Sequence, residues 1–287
     1  MKSMGDIKHS MNAIKETKQI TKAMHLMATS KMKKALARYA ANAVHFNSVR
    51  STLKDILLHT TSRELPFLGK SDHENGAYVV IASDKGLCGG YNHNVLNFAW
   101  KHMQNAKEKR VCVIGQESRV YFEKKNVELH LEFLSMSQNP SLVNARIVTG
   151  KLIEMFNAGL MDEVHIVYTH YVSTFLQQPS ILKLLPIDLD DLMDIDTEMQ
   201  YNADIAYHPS PQSVFKSLVP QYITGIIYGC MVQSYASEQS AAMMAMENAT
   251  KNAEEMLEKL SMEYNRARQY SITKEIAEII GAQEALS

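Results

Sequence analysis

Apolar residues near the start of the chain recur at steps of three and four: Met4, Ile7, Met11 and Ile14. The stripe slips near Lys18 and resumes at Ile20, Met24 and Met27. It then runs through Leu36, Tyr39, Ala43, Phe46, Leu53 and Leu57, with Arg50 at the one polar position. A second stripe occupies Ala242, Met246, Ala249, Ala253, Leu257, Leu260, Tyr264 and Ala267, and Ile272, Ile276 and Ile279 carry an apolar face onward. Three–four spacing is the seam of a coiled coil. Helix breakers agree: neither Gly nor Pro occurs between Gly5 and Pro66, nor between Gly229 and Gly281. A helix of about 55 residues is roughly 80 Å long at 1.5 Å per residue. That is longer than a domain of this size is wide, so most of it needs a partner. The other terminal helix supplies one, and an antiparallel hairpin is the economical topology. Alanine at Ala242, Ala249, Ala253 and Ala267 makes the second seam slim, burying little apolar area per turn.

The middle alternates strand and helix. "AYVVIAS" (77–83), "RVCVIG" (110–115), "VELHLEF" (127–133) and "DEVHIVYTHYVS" (162–173) read as strands. "NVLNFAWKHMQNAKEK" (94–109), "QESRVYFEKKN" (116–126) and the stretch Pro140–Gly159 read as helices, with Pro140 in a first turn. This alternation predicts a mostly parallel sheet covered on both faces. No internal repeat and no low-complexity segment appears.

Composition narrows the picture. The chain has 287 residues and a formal net charge of −1, which gives no global pull towards nucleic acid. Charge is uneven: the first sixty or so residues are basic, and 188–204 is acidic, which suggests partner surfaces. Cys88, Cys112 and Cys230 form no C-x-x-C pair and read as free thiols of a reduced compartment. No signal-like N-terminal segment and no run of membrane-spanning length is present, so the expectation is a soluble chain. The histidines are scattered, without metal-ligand spacing.

One loop invites a nucleotide reading. "SDKGLCGGYN" (83–92) follows an apolar strand and carries Gly86, Gly89 and Gly90. The dinucleotide pattern needs G-x-G-x-x-G, and the phosphate loop needs Lys followed by Ser or Thr after its last glycine. Neither is met, so a tight strand-to-helix turn needing positive φ is the favoured reading. Cys88 lies beside a helix start, where a thiol can be activated, and His93 is five residues on. No orienting group completes a catalytic set, and a small buried turn residue is expected.

The stretches "GDIKHSMNAIKETKQITKAMHLMATSKMKKA", "SDKGLCGGYN", "YHPSP" and "SEQSAAMMAMENATKNAEEMLEKLSMEYNRARQYSITKEIAEIIGAQEAL" together resemble the gamma subunit of the rotary ATP synthase, nearly end to end and in order. The resemblance implies an α/β fold with a long antiparallel coiled coil of the N- and C-terminal helices and a central Rossmann-like, mostly parallel domain. The parts expected are an N-terminal helix at 1–62, the α/β domain at 75–190 and a C-terminal helix at 209–287. The implied role is a non-catalytic central-stalk rotor that couples transmembrane ion flow to conformational cycling of the catalytic beta subunits. Its implied partners are the alpha and beta subunits, epsilon and the membrane c-subunit ring. Nucleic acid, direct membrane insertion and any cofactor, including a nucleotide in the glycine loop, are not expected. The implied location is peripheral, at the cytoplasmic face of the cell membrane.

Carried over by residue, Arg268 and Gln269 match a pair that contacts the beta subunit, and Met24 matches a methionine near the same belt. Lys31, Lys33 and Lys34 are the candidates to meet an acidic loop of that subunit. Ala242 stands where many relatives carry arginine, and His208 where a carboxylate usually precedes the proline. Two rival classes have their own tests: a nucleic-acid binder would show salt-dependent DNA affinity, and an enzyme of the α/β domain would bind nucleotide in calorimetry.

Overall fold

The computed structural model describes residues 3–59, 67–68, 75–104, 108–187 and 207–285. The acidic stretch 188–204 lies outside them. The chain divides into two compact units, one formed by the chain ends, Met1–Thr29 with Ala242–Ser287, the other by Ser30–Ala241.

Helix α1, Met4–His59, opens with a reciprocal cap. The Ser3 hydroxyl accepts from the Asp6 N–H at 3.1 Å, and the Asp6 carboxylate accepts from the Ser3 N–H at 3.3 Å. This satisfies donors that the first helical turn leaves open. The last helix, Pro211–Ala285, is called α5 below. In the unit of the chain ends the two helices run antiparallel. Lys18 Nζ meets Glu254 Oε1 at 2.8 Å, and the Thr21 and Thr250 hydroxyls meet at 2.8 Å.

These two contacts correct the apparent slip in the first stripe. The seam does not break near Lys18. It passes through Lys18, the buried Thr21 and the half-buried His25, then Ala28, Met32 and Ala35, in unbroken alternation of threes and fours. Ile20 and Met27, expected in the seam, are 60% and 54% exposed. An apolar-only reading stepped around two polar seam residues because each finds its partner across the pair, and so lost the phase. Further along, the same phase buries Val49, Leu53 and Ile56, leaving Leu36, Ala43, Phe46 and Leu57 half-buried and Tyr39 exposed. On α5 the expected seam holds: Met246 and Ala253 are buried, and Ala242, Ala249, Leu257, Leu260, Tyr264 and Ala267 are half-buried. Ile272, Ile276 and Ile279 face solvent.

The threonine pair tests this register. Valine at either position, and then at both, is expected to give a coupling of about 1 kcal/mol in a double-mutant cycle of thermal unfolding. Zero coupling would mean that the hydroxyls do not meet.

The second unit contains a five-stranded sheet. Its strands are β1 Asn75–Ile81, β2 Glu108–Ile114, β3 Leu129–Phe133, β4 Glu163–Tyr171 and β5 Gln177–Leu185, in spatial order β3-β2-β1-β4-β5. The first four are parallel, with Val79 opposite Cys112 on one side and Ile166 on the other. β5 returns antiparallel to β4, with Ile181 opposite Val167. The helices are α2 Tyr91–Met103, α3 Gln116–Glu123 and α4 Leu142–Asn157.

Alternate residues of each strand face opposite layers. Ala77, Val79, Ile81, Cys112, Ile114 and Ile166 join the core that holds Ala145, Val148 and Leu152 of α4. Leu53 and Ile56 of α1, and Phe215, Ile223 and Ile227 of α5, complete it. Tyr78, Val80, Val111, Val113 and Val167 face Val95, Leu96, Ala99 and Met103 of α2 and Phe122 of α3. Burial on both faces is why these strands are near-continuous apolar runs.

Two details differ from what the Pro and Gly positions alone predict. Pro140 precedes α4 instead of entering it: Ser141 is the N-cap, its hydroxyl accepting from the Asn144 N–H at 3.1 Å. α5 begins well before the breaker-free zone and runs through Pro220, Gly225 and Gly229. Gly225 is needed there, because a Cβ on it would lie 2.0 Å from the Phe46 ring, which stacks on Tyr222.

Candidate functional site: outward helix faces and a closed glycine loop

The predicted contact residues other than Met24 lie on outward helix faces. Lys31, Lys33 and Lys34 are exposed on α1, while Met32 and Ala35 between and beside them are buried. The helical period therefore turns the lysines away from the seam. Arg268 and Gln269 are exposed on α5 beside the half-buried Ala267, and Met24 is half-buried on α1. The antiparallel register set by Lys18–Glu254 and Thr21–Thr250 puts Met24 and Arg268 at different heights on the pair, about 30 Å apart along its axis at 1.5 Å per residue. They form two levels, not one cluster.

The glycine loop is a filled turn. Leu87 and Gly89 have φ of +67° and +56°, while Gly86 and Gly90 do not have positive φ. The Asn92 side chain, from the first turn of α2, ties the loop back. Its Oδ1 accepts from the Ser83 N–H at 3.1 Å and its Nδ2 lies 3.3 Å from Cys88 Sγ. The Asp84 carboxylate closes the carboxyl end of the sheet. Oδ1 accepts from the N–H groups of Gln116 and Ser135, each at 3.1 Å, and Oδ2 accepts from the Ser137 hydroxyl at 2.6 Å. An open α/β sheet takes its ligand at this edge. Here three donors already serve an internal carboxylate, and a phosphate would meet a negative charge.

Burial pushes the Cys88 thiol up, with Glu238 adding to the shift. That disfavours the thiolate a nucleophile needs. Tyr91 is pushed up by burial as well. Glu238 on α5 is the unusual group of this region. Burial first, and then the Asp84 charge, push its carboxyl up to about 8, against the opposing effects of Lys31 and of a 2.9 Å hydrogen bond from Gln239 Nε2. Sequence reasoning missed the roles of Asp84 and Glu238. The available signal for Glu238 was a lone acid inside "YGCMVQSYASEQSAAMMAM". Among the described residues no group of three or more His, Cys, Asp or Glu is placed to hold a metal, and no helix is long and apolar enough to cross a membrane.

A family model described as ATP synthase matches residues 3–286. The chain is 42% identical to the ATP synthase gamma chain of Ruminiclostridium cellulolyticum, covering 99% of both chains. It is 40% identical to that of Acetivibrio thermocellus over the whole of both. Among solved structures it is similar to a chain of the Euglena gracilis mitochondrial ATP synthase rotor in rotational state 1. The TM-score is 0.65 at 16% identity, over 94% of this chain and 98% of that one.

Proposed function

The chain belongs to the family of ATP synthase gamma chains, and from that premise we propose that it is the central-stalk rotor, turning inside a hexamer of alpha and beta subunits. The observation that carries this reading is the antiparallel pairing of the chain ends through Lys18–Glu254 and Thr21–Thr250. Two helices wound together resist bending and twisting better than either alone. Their faces differ: lysines and exposed Leu26 and Met27 on α1, Glu255, Glu258 and Arg268 on α5. An asymmetric shaft makes different contacts with chemically identical neighbours and so biases each towards a different state. Rotation exchanges those biases, and ion flow becomes ATP release.

On this reading the chain works in three parts: the helix at 1–62, the α/β domain at 75–190 and the helix at 209–287. It carries no catalytic group of its own. Lys31, Lys33 and Lys34 meet an acidic loop of the beta subunit, and Met24, Arg268 and Gln269 contact the same subunit at two heights. Exposed ion pairs of about 0–1 kcal/mol suit contacts that must be broken each turn. Epsilon and the c-subunit ring attach at the other end, which places the protein peripherally at the cytoplasmic face of the membrane.

Reconstitution tests the proposal. The purified chain is expected to hydrolyse no ATP, and adding it to alpha and beta subunits is expected to restore turnover. ATP turnover by the contaminant-free chain alone, or no effect on the hexamer, would overturn it.

A further inference from the structure

Within the second unit, α1, α4, the sheet and α5 leave a cavity of about 720 Å³ between them. That lies within the range of small-molecule sites, about 300–1,000 Å³. Its walls are aromatic and aliphatic: Tyr39, Phe46 and Val49 from α1, Ile153 from α4, Tyr168 and Leu182 from the sheet. Gly150 on α4 lines it, and a Cβ there would meet nothing within 4 Å. On the opposite side Gly225 and Gly229 of α5 let the Phe46 and Tyr39 rings pack close to that helix, where they form the wall. Where the walls meet, the Thr224 and Thr149 hydroxyls lie 3.1 Å apart, and Asn42 and Gln233 add further polar groups.

The charge at this cavity has one sign. Arg146 and Arg50 line it, and no aspartate or glutamate does. Arg146 is exposed on α4 one turn before Gly150, and among the described residues it makes no ion pair. A cation at the mouth of an apolar pocket, with hydroxyls and amides inside, is complementary to one chemical class. We infer that this cavity is a binding site for a small amphipathic anion, an aromatic or aliphatic body bearing one carboxylate or sulfonate. The body lies against Phe46, Tyr39 and Ile153, and the acid group faces Arg146. This site is separate from the faces proposed to meet the beta subunit and does not depend on that reading.

The probe is 8-anilinonaphthalene-1-sulfonate, titrated by fluorescence into the full chain, with decanoate as competitor. One saturable site displaced by decanoate is expected. Gly150→Phe projects a ring into the void from a helix position with free space, and is expected to abolish that site. Arg146→Glu reverses the charge at an exposed position and is expected to weaken binding about tenfold. Absence of saturable binding to the parent chain would overturn the inference, as would unchanged affinity in a folded Gly150→Phe chain. Should Gly150→Phe fail to fold, Arg146→Glu decides alone: unchanged affinity overturns the site, and the tenfold loss supports it.

Discussion

Replacing Glu238 by glutamine is expected to stabilise the protein at pH 9 by a few kcal/mol while leaving it nearly unchanged at pH 4. Burial and the Asp84 charge raise this carboxyl from 4.5 to about 8 in the folded chain. An unfolded chain releases the proton near pH 4.5. Between these values the folded state holds a proton that the unfolded state has lost, so rising pH favours unfolding. The penalty starts near pH 4.5, grows through neutrality and is complete above pH 8. At about 1.4 kcal/mol per pH unit, the gap between 4.5 and about 8 amounts to about 5 kcal/mol. Glutamine keeps the shape and the hydrogen-bonding capacity without the charge. Urea unfolding at pH 4, 6 and 9 checks the point. Parallel loss of stability with pH in parent and variant would show that another group titrates. Lys31, Cys88, Tyr91 and Tyr235 share electrostatic contact with Glu238, so the neutral variant is also expected to lower the Tyr91 and Cys88 values.

Alanine at Gly115 is expected to be the most damaging single methyl group in the α/β unit. Gly115 follows β2 with φ +99° and ψ 149°, a region that side chains other than glycine's almost never enter. An added Cβ would lie 2.2 Å from the Ala82 carbonyl oxygen and 2.9 Å from that of Ser83. Both are backbone atoms, and neither can swing aside. Ala82 N–H bonds the Ile114 carbonyl at 3.0 Å, and Glu117 N–H bonds the Ser83 carbonyl at 3.0 Å. Moving that strand end also pulls Asp84 from its donors. Backbone strain of about 1–3 kcal/mol adds to the loss of this network, for a total of about 4 kcal/mol or more. Gly150→Ala is the control. It makes the same chemical change in the middle of α4, with nothing in the way, and is expected to stabilise by up to about 1 kcal/mol. Thermal unfolding of the two variants should therefore shift in opposite directions. A Gly115→Ala chain as stable as its parent would contradict the close approach at Ala82.

The parallel strands were legible because both faces of the sheet are covered, so each strand is a short apolar run. β5 was not. Gln177–Leu185 has Pro179 in its third position and a largely half-buried pattern. Those are the marks of an edge strand, where a missing N–H is tolerated. From spacing and helix breakers alone α5 was legible only in its breaker-free part, and the family resemblance supplied the helix from 209 onward. Pro220, Gly225 and Gly229 argue against helix locally, yet burial of Phe215, Ile223, Ile227 and Met231 in the core outweighs those propensities. The seam of α1 was legible in its apolar stretches and lost at Lys18 and Thr21, because their partners lie more than two hundred residues away in sequence. The glycine loop was readable as a turn from its missing signatures. Its closure by Asp84 was not, since the donors come from the start of α3 and from Ser135 and Ser137.

The last turns of α5 stand apart from all this. α1 begins at Met4, and the register of the pair places its start near Arg268. Beyond that point Ile272, Ile276, Ile279 and Ile280 are bare to solvent in an unbroken helix. An isolated peptide of about fifteen residues rarely holds a helix in water, because the first turn is unfavourable to nucleate. This segment skips nucleation, since it is the continuation of a helix already clamped. A socket that closes over it therefore meets a rigid apolar plug and loses little conformational entropy in gripping it.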